Sequence, residues 1–177
     1  TQVTGICVEN GRITGVMVGD ERVNCDTVIL AVGHSARDTF QMLQDMQIPM
    51  EPKPFAMGVR IEHKQKMIDS AQYGAVDLPL PPADYKLVKH LENETVYTFC
   101  MCPGGKVINA STEADTSVTN GMSVSNRDSG IANSGLLVDV RTEDFADEHP
   151  LSGIEFQRKY EKLAWENRTE GGMARST

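Results

Sequence analysis

Thr27-Val-Ile-Leu-Ala-Val-Gly-His-Ser35 decides how the rest of this sequence reads. Five apolar residues in a row, Val28 to Val32, predict a strand buried on both faces, as in a parallel sheet covered by helices. Gly33 then breaks the strand. Ser35 reads as the N-cap of a helix over Ala36–Met46, where Phe40, Leu43 and Met46 recur near helical spacing. A glycine at such a junction lets a ligand's phosphate or sugar approach the backbone. The free amides of the helix start favour an anion. The alternative is a plain strand-to-helix turn, and the dinucleotide pattern Gly-x-Gly-x-x-Gly is absent.

Upstream, Gln2–Val8 and Ile13–Val18 read as strands joined at Asn10-Gly11, where both turn positions tolerate positive φ. Gly19-Asp20-Glu21 turns again into a third strand over Arg22–Val32, completing a β-meander. Downstream, Pro49, Pro52 and Pro54 end the helix and carry the chain across in extended form. Strands are expected at Phe55–Glu62, Tyr85–Leu91, Thr95–Met101, Lys106–Ser111, Val118–Val124 and Leu136–Val140. A short helix is expected at Gln65–Gln72, and Pro103-Gly104-Gly105 reads as a turn joining two antiparallel strands. Ser125–Ser134 is polar and reads as a loop. A final helix begins near Pro150 and Ser152, with Ile154, Tyr160, Leu163 and Ala164 on its apolar side and Phe156 and Trp165 less regularly placed.

The fold class is therefore α+β. Three regions are expected: 1–52, with the meander, strand and helix; 53–141, a mainly antiparallel β domain; and 142–177, an acidic link, helix and tail. The sequence opens at Thr1 inside a strand, so it reads as a piece of a longer protein. An apolar face left by absent segments would favour dimer formation.

Composition narrows the function. The 177 residues are 40% hydrophobic, enough for a core. Net charge is −8, against the basic face that a nucleic-acid binder needs. No apolar run approaches the ~20 residues that span a bilayer, so no membrane role is expected. Four cysteines are too few for a disulfide scaffold at this length. A reducing, cytoplasmic setting follows as the default, in which the sequons at Asn93, Asn109 and Asn167 carry no meaning.

Cys100-Met-Cys102 admits three readings. Alternate strand residues share a face, so both thiols would face one cleft and do redox chemistry there. Their Cβ atoms would then lie ~6.6 Å apart, whereas a disulfide needs about 3.8 Å, so a bond requires a kink. Zinc would need four ligands, with His63 or His90 converging on the pair. The third reading is two small buried apolar side chains. Arg60 and Glu62 share a strand face, and Arg60 would suit a polar or anionic substrate; a solvated face is the plain alternative. Asn120-Gly121 offers hydrogen bonds to a ligand or ordinary turn chemistry. His34 is either a phosphate contact or a helix-start residue.

The order of these elements resembles the second half of the FAD-binding domain in two-domain flavoproteins. There a β-meander leads into a strand closing in an Ala-Thr-Gly-like motif beside the cofactor. Here Val32 stands at the Thr position and His34 follows the glycine. Ala31-Val-Gly-His-Ser-Ala-Arg-Asp-Thr-Phe40, Lys53-Pro-Phe-Ala-Met-Gly-Val-Arg-Ile-Glu-His63, Leu80-Pro-Pro-Ala-Asp-Tyr85, Tyr97-Thr-Phe-Cys-Met-Cys-Pro-Gly-Gly105 and Val118-Thr-Asn-Gly-Met-Ser123 occur in turn. Together, over roughly residues 1–163, they resemble a family of bacterial FAD-dependent dehydrogenases of poorly defined substrate.

The resemblance implies a domain of a flavin-dependent oxidoreductase that shapes a small-molecule pocket over the flavin. Its partners would be the N- and C-terminal segments of the same protein. FAD would contact Val3, Ala31, Val32, Gly33 and His34. Cys100 and Cys102 would lie near the flavin ring, and Arg60 and Asn120 near substrate. No metal is expected. The Gly-rich turn that cradles pyrophosphate is missing from this sequence, so the chain alone is expected to hold FAD poorly and to lack turnover. The rivals are a non-catalytic β module that binds a ligand or protein, and a flavin-independent thiol or metal protein using Cys100 and Cys102.

Overall fold

A computed structural model describes residues 2–75 and 78–168. Three strands open the chain: β1 (Val3–Glu9), β2 (Arg12–Val18) and β3 (Glu21–Asn24), hydrogen-bonded in that order. Asn10 and Gly11 take φ of 51° and 73°, so the tight turn expected between β1 and β2 forms, pairing Glu9 with Arg12. The meander stops early. Only Glu21–Asn24 pairs with β2, and Val28–Val32 runs outside any sheet, with Ile29 88% exposed. The expected strand to Val32 therefore does not form in this chain. A strand exists through ladder bonds to a neighbour, and no described residue supplies them.

Helix α1 (Arg37–Asp45) follows. The expected Ser35 cap is not made: Ala36 holds the N-cap position, and the Ser35 hydroxyl meets His34 Nδ1 instead. After the proline-rich crossing come β4 (Phe55–Lys64), α2 (Gln65–Tyr73), β5 (Val88–His90), β6 (Thr95–Cys102), β7 (Gly105–Asn109), β8 (Thr119–Ser123), β9 (Ile131–Val140) and α3 (Ser152–Glu166). The central sheet is antiparallel in the order β4-β9-β6-β5, and β7-β8 forms a separate hairpin. The mixture of helices and antiparallel sheets makes the chain α+β.

Two expectations fail in the sheet. Ser125–Ser134 is not all loop, because its last four residues open β9, where Ala132, Asn133 and Ser134 are wholly buried. Their small side chains fit a central strand flanked by β4 and β6. Pro103-Gly104 does turn the chain, but β6 and β7 do not pair with each other. A Cβ on Gly104 would stand 1.8 Å from the Arg127 carbonyl oxygen, so the 125–130 loop lies against the turn. Gln65 fastens it from the other side: its Oε1 accepts from Gly104 N at 2.9 Å and its Nε2 donates to Ala83 O at 2.9 Å.

The apolar core at the base of the sheet is aromatic. Phe55 stacks on Phe145 at 5.6 Å between centroids, and Phe156 meets both rings. Phe156, irregular in the sequence pattern, is thus a central residue of the packing. Gly153 leaves room for it, since a Cβ there would touch Phe55 and Phe145 at 3.2 and 3.3 Å. Beside this core, Arg37 is buried and joins α1 to α3: Nη2 meets Glu161 at 2.7 Å and Nη1 meets Glu113 at 2.8 Å. Arg158 grips Glu113 from α3 at 3.1 Å. No helix among the described residues is long and apolar enough to cross a membrane.

Candidate functional site

Register places Arg60, Glu62 and Cys102 on one face of the central sheet. Arg60 of β4 stands opposite Gly135 of β9, which stands opposite Phe99 of β6. The next row is Glu62, Asn133 and Cys102. Directly opposed residues share a face in antiparallel pairing, so these two rows form one surface.

The rows do not run evenly. Three steps along β6, from Phe99 to Cys102, oppose two along β9, from Gly135 to Asn133. The extra residue makes a bulge at Cys100, whose φ is 49°. The bulge ends the alternation expected for Cys100 and Cys102. Cys100 is exposed, Cys102 is buried, and both are free thiols. The kink comes from Cys100 itself.

The bulge also turns the Cys100 carbonyl inward, where it gathers donors. Arg60 Nη1 donates to it at 3.1 Å and the Cys102 thiol at 3.4 Å. The same Nη1 donates to Asn133 Oδ1 at 2.5 Å and lies 3.9 Å from Cys102 Sγ. That bond sets the Asn133 amide, because only its oxygen accepts from a guanidinium. Its Nδ2 is then left buried with no acceptor. Arg60 Nε and Nη2 make no hydrogen bond among the described residues, and no carboxylate pairs with them. Glu62, on the same face, accepts from Val107 N at 2.8 Å.

Gly121 of β8 closes one side. A Cβ there would fall 2.2 Å from Arg60 Nη1, 2.4 Å from Asn133 Oδ1 and 2.8 Å from Cys102 Sγ. Asn120 is exposed beside it and uses its Oδ1 to accept from Gly121 N at 2.9 Å. The structure thus brings Arg60, Cys100, Cys102 and the Asn120-Gly121 pair together. Sequence reasoning missed Asn133, Gly135 and Phe99. The polar, glycine- and serine-flanked surroundings of Asn133 and Gly135 read as loop, and the exposure of Phe99 is a tertiary property.

The other predicted residues sit elsewhere. Val3 is exposed at the start of β1, and Gln2 beside it donates to Asp38 in the first turn of α1 at 3.2 Å. Ala31, Val32 and Gly33 are exposed on the approach to that helix, and Gly33 takes φ of 73°. Arg37, which follows them, is engaged by Glu113 and Glu161 rather than by this segment. His34 lines a cleft of about 230 Å³ with Met57, Gly58, Thr119 and Tyr160. Gly58 and Thr119 are each two strand positions from Arg60 and Gly121, roughly 7 Å along the chain. The cleft does not include Arg60, Asn133 or Cys102, so His34 stands apart from that cluster.

The donors of Arg60 suit the oxygen- and nitrogen-bearing edge of a planar group, and Gly121 on β8 leaves room for the guanidinium itself. Free guanidinium nitrogens and an exposed thiol fit the polar edge of a flavin ring, while the orphaned Asn133 amide is buried beneath them. Among the described residues no group of three or more His, Cys, Asp or Glu is placed to hold a metal ion.

The opposite face carries a different environment. His63 stacks near Tyr85 at 5.5 Å, and its Nε2 is buried with no partner. Burial pushes the His63 pKa down and that of Tyr85 up, the latter opposed by a hydrogen bond with Ser134.

An uncharacterized protein of Clostridium beijerinckii (strain ATCC 51743 / NCIMB 8052) is 45% identical to this chain over 164 residues, which is 90% of the chain and 31% of that protein. The chain thus spans about a third of the length of the curated relative it matches. Residues 54–176, from the start of the central sheet onward, match the family model described as FAD-dependent protein, C-terminal domain-like. The chain belongs to that family of FAD-dependent protein C-terminal domains.

Proposed function

We propose that this chain is the part of a longer FAD-dependent oxidoreductase, a dehydrogenase, that shapes the substrate pocket over the flavin. The observation that carries the reading is the convergence of Arg60, Cys100, Cys102, Asn133 and Gly121 at the β6 bulge, in a chain of an FAD-dependent family. When bound, FAD supplies hydride or electron transfer through its isoalloxazine ring. In this reading Arg60 holds an electron-rich edge, of flavin or substrate, with Nε and Nη2. Asn133 and the Cys100 carbonyl fix the guanidinium in place. Cys100 is the thiol offered to the reacting groups. Cys102 positions Arg60 from below, and Asn120 lies at the substrate side. Val3, Ala31, Val32, Gly33 and His34 would contact FAD, whose remaining contacts come from segments of the longer protein. This chain alone would bind FAD poorly.

The test is the visible absorbance of the longer protein purified without added cofactor. Bands near about 375 and 450 nm, the usual flavin pair, support the reading. A colourless protein that takes up no FAD when it is supplied overturns it.

A further inference from the structure

We infer that the chain carries a second ligand site, apart from the Arg60 cluster, which takes an uncharged molecule with an apolar chain and a carbonyl head. This site goes beyond the flavin reading and does not depend on it. It begins as an apolar cavity of about 540 Å³ between α1 and α3, walled by Phe40, Leu43, Ile48, Met50 and Ile154. That volume lies within the ~300–1,000 Å³ of small-molecule sites. Its walls are held apart. The Arg37–Glu161 ion pair, at 2.7 Å, ties α1 to α3 at a fixed spacing. Pro49, Pro52 and Pro150 stiffen the rim, since the proline ring locks φ.

The cavity does not end at its apolar walls. His34, Phe55 and Gln157 line it and also line the cleft of about 230 Å³ that reaches Thr119. The two spaces meet at those three residues, so the combined space is long rather than round. A flexible chain fits it with its body among the apolar walls and its head at the junction. The junction offers donors. Arg37 Nη2 donates to Gln157 Oε1 at 3.4 Å, which leaves Gln157 Nε2 with no partner among the described residues. The Ser35 hydroxyl meets His34 Nδ1 at 3.0 Å. When the hydroxyl donates there, the ring proton sits on Nε2. Two N–H donors match the two lone pairs of one carbonyl oxygen. Charge decides the rest. Lys53 and Glu51 of the cavity offset each other, and Glu161 in the cleft is neutralised by Arg37. No net charge is left to pair with an ionic head, so its desolvation there would go uncompensated.

The chain is titrated with octanamide, octanoate and octylamine, followed by backbone amide and side-chain NH2 chemical shifts. Octanamide is expected to saturate while moving Leu43, Ile154 and the Gln157 side chain, and the two charged probes to bind at least about fivefold more weakly. Butanamide and hexanamide, titrated alongside, should show affinity rising about threefold per added methylene. Ile48→Trp, which fills the cavity, is expected to weaken octanamide about tenfold. Gln157→Met, which keeps the volume and loses the donor, is expected to weaken it about fivefold. The site is overturned if octanamide moves none of these signals, if octanoate or octylamine binds as tightly, if affinity does not rise with chain length, or if Gln157→Met leaves octanamide binding unchanged. Binding by this chain that is lost in the longer protein also overturns it, and gives the cavity to a segment or cofactor of that protein. The flavin spectrum of the longer protein bears on none of these outcomes, so the two readings fail separately.

Discussion

Arg60 and Asn133 meet across neighbouring antiparallel strands, two residues apart in register, with Nη1 of the first 2.5 Å from Oδ1 of the second. The contact holds a guanidinium at the sheet surface by means of an amide at 0% exposure. One end of the pair is wholly buried and the other is partly exposed.

Gly121→Ala puts a methyl group against the tip of Arg60. It also meets the buried Asn133 Oδ1 and Cys102 Sγ, but all three are side-chain ends rather than backbone, so the expected outcome is a folded protein that has lost the set orientation of Arg60, at a cost of about 1–3 kcal/mol. Gly104→Ala differs, because its Cβ meets the Arg127 backbone and its φ is +58°. There the cost is expected to reach about 3 kcal/mol or more. Urea unfolding of both variants checks the order; a Gly121→Ala cost equal to that of Gly104→Ala would contradict it.

Arg37→Ala removes a buried cation and leaves Glu161, whose side chain is 12% exposed, without its partner. Breaking a buried pair from one side costs about 3–5 kcal/mol. Arg37→Met fills the space but leaves the same acids, so it is expected to fall between wild type and alanine. Calorimetric Tm values rank the three proteins.

Acid is expected to weaken the fold in two windows. His63 is held below its ordinary 6.5 by burial, so the unfolded chain takes up its proton first. Its stabilisation is complete above pH 6.5 and is lost as pH falls through the folded value. Glu113 is held below 4.5 by the hydrogen bond from Arg158 and by Arg37, so its contribution is present above 4.5 and is lost as pH falls through its own folded value. Urea midpoints measured against pH should show both declines. His63→Phe should remove only the upper one and Glu113→Gln only the lower.

The bulge makes a prediction about thiol chemistry. Cys100 is exposed and Cys102 is buried beneath the Arg60 contact. Alkylation of the native chain, mapped by mass spectrometry, should modify Cys100 before Cys102 by roughly tenfold or more, since the buried thiol reacts only when the structure opens. Equal rates would mean that the bulge does not hold in solution.

Much of this was readable in advance where the cause is local. Asn10-Gly11 turns because its two residues tolerate the positive φ they adopt. The helix over Arg37–Asp45 follows its apolar spacing, and Arg60 stands out because strand alternation puts it on one face with Glu62. Cys100 and Cys102 were also marked, but simple alternation put them on one face. A bulge is set by the mismatch between two strands and cannot be counted along one.

The sequence by itself determined the α+β class, the turns and most helix and strand positions, because those depend on φ preferences and on periodicity within a few residues. Tertiary structure alone decided which polar groups met. Arg37 finds Glu113 and Glu161 at separations of 76 and 124 residues, and Arg60 finds Asn133 at a separation of 73. It also decided that Val28–Val32, the most strand-like run in the chain, has no ladder here. A strand is defined by bonds to another strand, and side-chain chemistry by the neighbours that packing delivers; neither is a property of the residue that carries it.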